Sequence, residues 1–447
     1  MMDRSTGIQQ KMLYVTLESL MPEKHFLRDL DRLVDFSFIY DLVEPLYSYT
    51  GRRSIDPVVI VKMMLLGYLY GIDSERRLEQ EVQINIAYRW FLGIDLDESV
   101  PDHSTLSQLR RRKFNNTAVF EEIFTEIVRQ CIEYGLIDGK LLLTDSTHVR
   151  ANARNDLAET IVVETEPSAY LKKLNEQAKM DGIYPKSRKE PASETKEIRV
   201  SLTDPECGFM RRDGKPLGFY YLSHQTCDSL HGFITDVYVT PGNTKDDSVH
   251  SARIQEQIKK YGFSTKGVCA DKGYDSSEIH ADMYRLGIRT FIPKKTVNVS
   301  PNNCFSGDDF QYDTSTDTYV CPAGHRLHFT TYIPKDGQKR YVCKAAICSA
   351  CLLKDRCISG KLKYKAIARA YEKWASDIQH RTNDHTPEYA AAMRLRRIWC
   401  EGNFAHQKAN HNLTRVRKRG LGKASVHCLL SATALNLKRM VRLLTRA

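Results

Sequence analysis

The 447-residue sequence lacks an apolar run of membrane-spanning length. Its longest, VVIVKMMLLGYLYG from Val58, is interrupted by Lys62. The first 30 residues also lack an apolar stretch of signal-peptide length. These absences predict a cytoplasmic chain with no membrane partner. No internal repeat is visible, and 24 Gly and 15 Pro without a triplet period exclude a collagen-like chain. The twelve cysteines have no secretory context, so reduced thiols are expected, and their bunching points to metal rather than disulfides. Acids are also short, 55 against 66 Lys and Arg, and the net charge of +11 implies a polyanionic partner. What is present in quantity is hydrophobic content, at 42% enough for a sizeable core, over a length that suits two to four domains.

The N-terminal 135 residues read as helical. Asp56 followed by Pro57 is a cap and first-position proline before a helix apolar on nearly all sides. Gly71 ends it, and a second helix from about Ser74 places Leu78, Val82 and Ile86 at four-residue steps. In PDHSTLSQLRRRKF, Asp102 or Ser104 caps a helix whose far end carries Arg110, Arg111, Arg112 and Lys113. Asn116 opens a longer helix with Val119, Ile123, Ile127 and Cys131 as its buried stripe and Gly135 as its stop. Short helices with a basic end suit a DNA-reading module, in which His103, Thr105 and Gln108 would read bases while the arginines hold phosphates. The arginines equally suit a helix C-terminus and a solvated face.

Beyond Gly135 the pattern changes to strands. LLLTD at 141–145 and KGVCAD at 266–271 are short apolar runs ending in acids, as in strands buried on both faces. GFYYLSHQTCD, GFITDVYVTPGN and GIRTFIP add further strands, so a mixed α/β fold is expected, with a sheet flanked by helices. The charged stretch 152–200 reads as an exposed insertion or flexible segment.

Asp145 and Asp271 thus close two apolar strands, where ligands of such sheets collect. Thr386-Pro387 starts a helix on which Arg397, Glu401 and Lys408 fall within roughly 40° of one another, a face of base, acid, base. Three carboxylates can hold two Mg2+ ions that activate a hydroxyl nucleophile and stabilise a leaving oxygen, with Arg397 and Lys408 clamping phosphate. An acid at a strand end is also ordinary turn chemistry, and Asp228, Asp236, Asp246 and Asp247 compete for the same role on composition alone. Arg397 and Glu401 equally form a surface i,i+4 pair.

Cys348-x2-Cys351, Cys357 and Cys321 in CPAGH offer four soft ligands for a structural Zn2+, with His325 as a spare and no obvious place for Cys343. Thiolates are poor partners for Mg2+, so this cluster should be separate from the carboxylates. The alternative is a reduced surface loop. From Arg394 to the end there are thirteen Lys or Arg and one acid, so Arg415, Arg417, Lys418 and Arg419 are candidate DNA-backbone contacts. SVHCLLSATALNLKRMVRLL, apolar at helical steps, reads as a packing helix.

TDSTHVRANA around Asp145, ADKGYDS around Asp271 and Arg397-x3-Glu401-x6-Lys408 resemble the three signature blocks of the DDE transposases of bacterial insertion sequences. GRRSIDPVVIVKMMLLGYLYGIDSERRLEQE, PDHSTLSQLRRR and HNLTRVRKRGLGK resemble the helical N-terminal domain and the basic post-Glu stretch of one branch. The family's Tyr three residues before the Arg is Arg394 here. The resemblance implies an RNase H-like catalytic core with Asp145, Asp271 and Glu401 on two Mg2+ ions, for which Mn2+ substitutes. It implies binding of double-stranded DNA at the element's terminal repeats and at a target, by a homodimer on DNA, with cleavage and strand transfer. The domains expected are a helical DNA-binding and assembly domain at 1–135, the first part of the core at 136–300, a Cys-rich zinc insertion at 301–380, and the Glu helix with the basic tail completing the core at 381–447. The rival readings are a nuclease of similar fold that does not join strands and a non-catalytic, zinc-containing DNA-binding protein.

Overall fold

The computed structural model describes residues 14–48, 50, 54–114, 117–185, 194–211, 217–295, 304–358 and 362–445. The helix start expected at Asn116 and most of the KSRKEPASETKE run lie outside these residues. The chain divides into two compact units, one of Met1–Ile137, Phe233–Val239 and Gly402–Ala447, the other of Asp138–Gly232 and Thr240–Glu401.

The first unit is built from helices with legible starts. The Asp56 carboxylate accepts from the Val58 amide at 2.7 Å and opens the Pro57–Leu69 helix, which buries residues on all sides from Ile60 to Leu69. Ser74 caps Glu75–Ile84, whose Leu78 and Val82 are buried. The expected continuation through Ile86 is broken, because the Asn85 side chain accepts from the amides of Ala87 and Tyr88 and caps a new helix, Ile86–Leu92. Asp102 caps His103–Leu109, which runs into a π turn, Arg110–Phe114. Val119–Glu133 ends before Gly135, at φ 70°, a left-handed stop that favours glycine. The Leu421–Leu444 helix packs along Pro57–Leu69 and Val119–Glu133, with Cys428, Ser431, Ala432, Ala434 and Leu437 fully or almost fully buried. Residues from Gly402 onward therefore group with the N-terminal helices, where the sequence reading had them complete the catalytic core. The long helix is the packing helix expected from its apolar steps.

The second unit is mixed α/β. Its strands begin with β1 Leu141–Arg150, β2 Ala158–Thr165, β3 Glu194–Ser201, β4 Gly208–Met210 and β5 Gly218–Asp228; β6, Ile234–Pro241, lies mostly in the first unit; β7 Gly267–Cys269 and β8 Arg289–Phe291 follow. The main sheet has the order β4-β5-β1-β7-β8. β1 is antiparallel to β5 and parallel to β7, and β7 is parallel to β8, so an antiparallel half adjoins a parallel half, as expected of an RNase H-like core. Leu142 and Leu143 at its centre are fully buried.

The charged stretch read as exposed or flexible forms a ribbon. β2 and β3 pair from Ala158↔Ser201 to Thr165↔Glu194, and a helix, Ala169–Met180, stands between them. The ribbon is largely exposed, as the low apolar content suggests, but a backbone ladder orders it, and Asn175 of the helix accepts a hydrogen bond from the Tyr332 hydroxyl of the Cys-rich segment. That segment is a small antiparallel sheet in its own right. It comprises β9 Gln311–Asp313, β10 Thr318–Val320, β11 Arg326–Ile333, β12 Gln338–Val342 and β13 Ala366–Ala370. Its core is Phe310, Tyr319, Leu327, Tyr341 and Ile367 together with Cys343 and Cys348.

Candidate active site

The parallel pairing of β1 with β7 matches Leu141, Leu142 and Leu143 to Gly267, Val268 and Cys269. Asp145, inside β1, and Asp271, just past the end of β7, each follow the matched pair Leu143 and Cys269 by two residues, and the charge of Asp271 bears on Asp145. The sequence had placed Asp145 at a strand end, but β1 runs on to Arg150. Asp145 accepts from the Ser146 amide at 2.8 Å and, through Oδ2, from Arg396 Nη1 at 2.8 Å. Burial pushes its carboxyl above the usual range, the Arg396 guanidinium opposes this, and the charge of Asp271 adds to the rise. One oxygen of Asp271 accepts from the Gly273 amide at 2.8 Å, so the turn chemistry and the candidate site share this residue. A Cβ at Gly273 would lie 2.8 Å from that oxygen.

Around the two acids the polar network is incomplete. Ser146 donates its hydroxyl to Asp246 Oδ1 at 2.8 Å. Tyr274 is 1% exposed, and the acids Asp145, Asp246 and Asp271 act with burial to drive its phenol well above its ordinary value. Its hydroxyl has no hydrogen-bond partner, and neither has Arg396 Nε, although both are buried. Two uncompleted polar atoms beside adjacent carboxylates make a fitting environment for a hydrated divalent cation, which takes oxygen ligands and whose waters can satisfy both.

The helix expected from Thr386-Pro387 is present as Pro387–Arg396, capped by the Thr386 hydroxyl, but it changes pitch. Arg397–Glu401 is a π turn, after which Gly402–Asn410 resumes as α-helix. Single π turns inside α-helices recur at functional sites. This one packs against β1 and β5. The Trp399 indole donates to the Ser229 carbonyl at 3.0 Å, its ring fills the space a side chain at Gly232 (φ 74°) would need, and the buried Cys400 sulfur lies 3.8 Å from that of Cys227. The wider turn breaks the uniform 100° step on which the expected base, acid, base face rested. Arg396, unremarked in the sequence, reaches Asp145, whereas Arg397 and Glu401 are exposed. Lys408 is exposed and belongs to the first unit. The structure thus gathers Asp145, Asp271 and Arg396, and it carries Glu401 on the turn packed against β1. The sequence signal for Arg396 was the Arg396-Arg397 pair, in which only the pitch decides which guanidinium turns inward.

Among the candidate DNA contacts, Gln108, Arg111 and Arg112 are exposed. Arg110 is ion-paired to Glu75, which also takes Lys418 at 2.7 Å, and Arg417 pairs with Asp73. Arg415 and Arg419 are exposed.

Cys321, Cys348, Cys351 and Cys357 line one small cavity of about 20 Å³ with His325 and, contrary to expectation, Cys343. Backbone amides of His325 and Leu353 donate to the sulfurs of Cys321 and Cys351 at 3.3 and 3.4 Å. Burial, followed by the neighbouring Cys348 and Cys321, pushes the Cys343 thiol up to about 12, and burial also raises Cys357. The cysteines share a cavity, and thiol sulfurs are the donor type that zinc takes, but among the described residues no three of these sulfurs fall within 4.8 Å of one another, so the side chains would have to draw together to hold an ion.

The sequence matches the Transposase domain family over residues 15–112 and the Transposase DDE domain family over residues 320–441. The chain therefore carries a transposase DDE domain. The second match contains Cys321 to Cys357, Glu401 and most of the basic tail, while Asp145 and Asp271 lie outside both matches. No curated protein matches the chain. Similar solved structures include a piggyBac transposase synaptic complex with hairpin DNA, 10% identical, covering 94% of this chain and 79% of that one at a TM-score of 0.36. A Mos1 transposase paired-end complex with left transposon end is 8% identical, covering 54% and 61% at 0.16, and a Mos1 mariner paired-end complex with Mn is 9% identical, covering 55% and 60% at 0.16. Superpositions this loose carry no argument about the site. A transposase DDE domain implies dependence on a divalent metal and action on DNA. Among the described residues no helix is long and apolar enough to cross a membrane.

Proposed function

We propose that this transposase cuts DNA at the terminal repeats of an insertion sequence and joins the freed 3′-hydroxyl to target DNA in one site formed by Asp145, Asp271 and Glu401. The observation that supports the reading is the β1–β7 register, from whose last pair, Leu143 and Cys269, Asp145 and Asp271 each follow by two residues. Two Mg2+ ions, or Mn2+ in their place, would be held by these acids and supply nucleophile activation and leaving-oxygen stabilisation. The chain's own part is to hold Asp145 within β1 and Asp271 just past β7, and to keep Arg396 beside Asp145 as a counter-charge that can turn to a phosphate oxygen. Exposed Arg397 and Lys408 are candidates for the flanking phosphates. Zinc at the cysteine cavity would be structural, fixing the short helices Ala345–Ser349 and Lys354–Cys357 to the small sheet. The enzyme is expected to act in the cytoplasm as a homodimer on DNA.

Cleavage and joining assays on labelled terminal-repeat DNA test the site. Asp145→Asn, Asp271→Asn and Glu401→Gln should each abolish Mg2+-dependent cleavage while DNA binding stays nearly intact. A variant that cleaves like the wild type removes its residue from the site, and cleavage without any joined product returns the chain to the nuclease reading.

A further inference from the structure

A second cluster of ligand-type side chains lies outside the acidic site and the cysteine cavity. Asp275 follows the short turn Lys272–Tyr274, His280 stands on the helix Ser277–Arg285, and His380 on the helix Lys373–Asn383. The Nε2 atoms of both histidines lie 3.0 Å from the same oxygen, Asp275 Oδ1, and the three atoms all fall within 4.8 Å of one another. The side chains of His280, Asp275 and His380 are 0%, 8% and 18% exposed, so the cluster is nearly dry and opens only on the His380 side.

We propose that Asp275, His280 and His380 form a mononuclear site for a zinc-class transition metal, bound through Asp275 Oδ1 and the two Nε2 atoms, with a fourth position left for water. Two imidazoles and one carboxylate select such a metal over Mg2+, which prefers oxygen alone. Tetrahedral ligands about 2.0–2.1 Å from zinc stand about 3.3 Å apart, so the two 3.0 Å edges need open by only a few tenths of an ångström. The outer contacts are those that orient metal ligands. His280 Nδ1 meets the Thr290 hydroxyl at 2.6 Å, and Asp275 Oδ2 accepts from the Lys295 amide at 2.7 Å. A purely hydrogen-bonded hub must place both ring protons on one carboxylate oxygen; a metal removes that crowding, because one cation replaces two donors. Bound metal would tie the turn that begins at Asp271 to two helices, a role independent of the DNA chemistry.

The full chain, wild type and His380→Gln, is loaded with zinc in Mg2+-containing buffer, desalted, and assayed for metal content and zinc-edge X-ray absorption. The glutamine amide keeps a donor for Asp275 but is a poor zinc ligand, so folding is retained on either reading. The wild type should hold one equivalent more than His380→Gln, and only the wild type should show the imidazole scattering of a two-histidine zinc. The comparison is a difference, so it stands whether or not the cysteines are loaded. Equal zinc content in the two proteins, or a wild-type spectrum without imidazole, overturns the proposal and leaves a hydrogen-bonded hub.

Discussion

Replacing Arg396 with methionine should loosen the metal-free enzyme and tighten its grip on divalent cations. The guanidinium donates to Asp145 Oδ2 at 2.8 Å, with the two side chains 13% and 19% exposed, and its charge also bears on Asp271. At 4 Å an ion pair is worth about 4 kcal/mol for an effective dielectric of 20, but desolvation offsets much of this, and a net of roughly 2 kcal/mol is reasonable for a charge-assisted bond so placed. A metal ion arriving at the acids must displace that contact in the wild type and need not in the variant. At about 1.4 kcal/mol per factor of ten, Arg396→Met should bind Mn2+ roughly thirtyfold more tightly. The same substitution should lower unfolding stability by about 2 kcal/mol without metal, and saturating Mn2+ should recover more stability in the variant than in the wild type. Titration calorimetry and denaturant melts with and without Mn2+ read both quantities. Unchanged Mn2+ affinity, or a stability loss of the same size with and without the ion, would refute the idea that Arg396 holds the place of a cation.

Three further outcomes are expected. Changing Cys348 and Cys351 together to serine should remove about one equivalent of zinc from the purified protein and lower its melting temperature, and a zinc-free wild type that melts normally would dismiss the structural metal. Burial holds His427, against Tyr68 and the Asn412 carbonyl, and His411, against the Tyr68 carbonyl, down to about 4, below the unfolded value of 6.5. The unfolded chain then binds more protons between these values, so stability should fall as pH drops from about 6.5 towards 4, by up to about 1.4 kcal/mol per pH unit for each histidine, and a flat profile would contradict their burial as neutral rings. Gln108→Ala should weaken terminal-repeat binding by about 1–3 kcal/mol and spare random DNA, whereas equal losses on both would make the N-terminal helices scaffold.

The parts of this transposase that were legible in its sequence are those fixed by local chemistry. Asp56-Pro57, Ser74, Asp102 and Thr386-Pro387 start helices because each supplies an acceptor where the chain has unpaired amides, and the runs before Asp145 and Asp271 are strands because nothing polar interrupts them. That the two acids come near enough for one charge to bear on the other is different. It depends on pairing Leu143 with Cys269 across 126 residues, and no local rule sets a register over that distance. The cysteines show the same division, since Cys348-x2-Cys351 is a local spacing, whereas Cys343 joins the cavity through the fold of β12 and had no place in a linear count. Arg396 is the sharpest case. Both arginines of the pair are chemically able to face Asp145, and a uniform helix favours a face built on Arg397. Trp399 and Cys400, anchored on β5 and the segment after it, accompany the wide turn that sets which arginine turns inward. The choice of counter-charge therefore rests on packing one turn away, which is why the signature spacing located the helix but not the guanidinium that meets the acid.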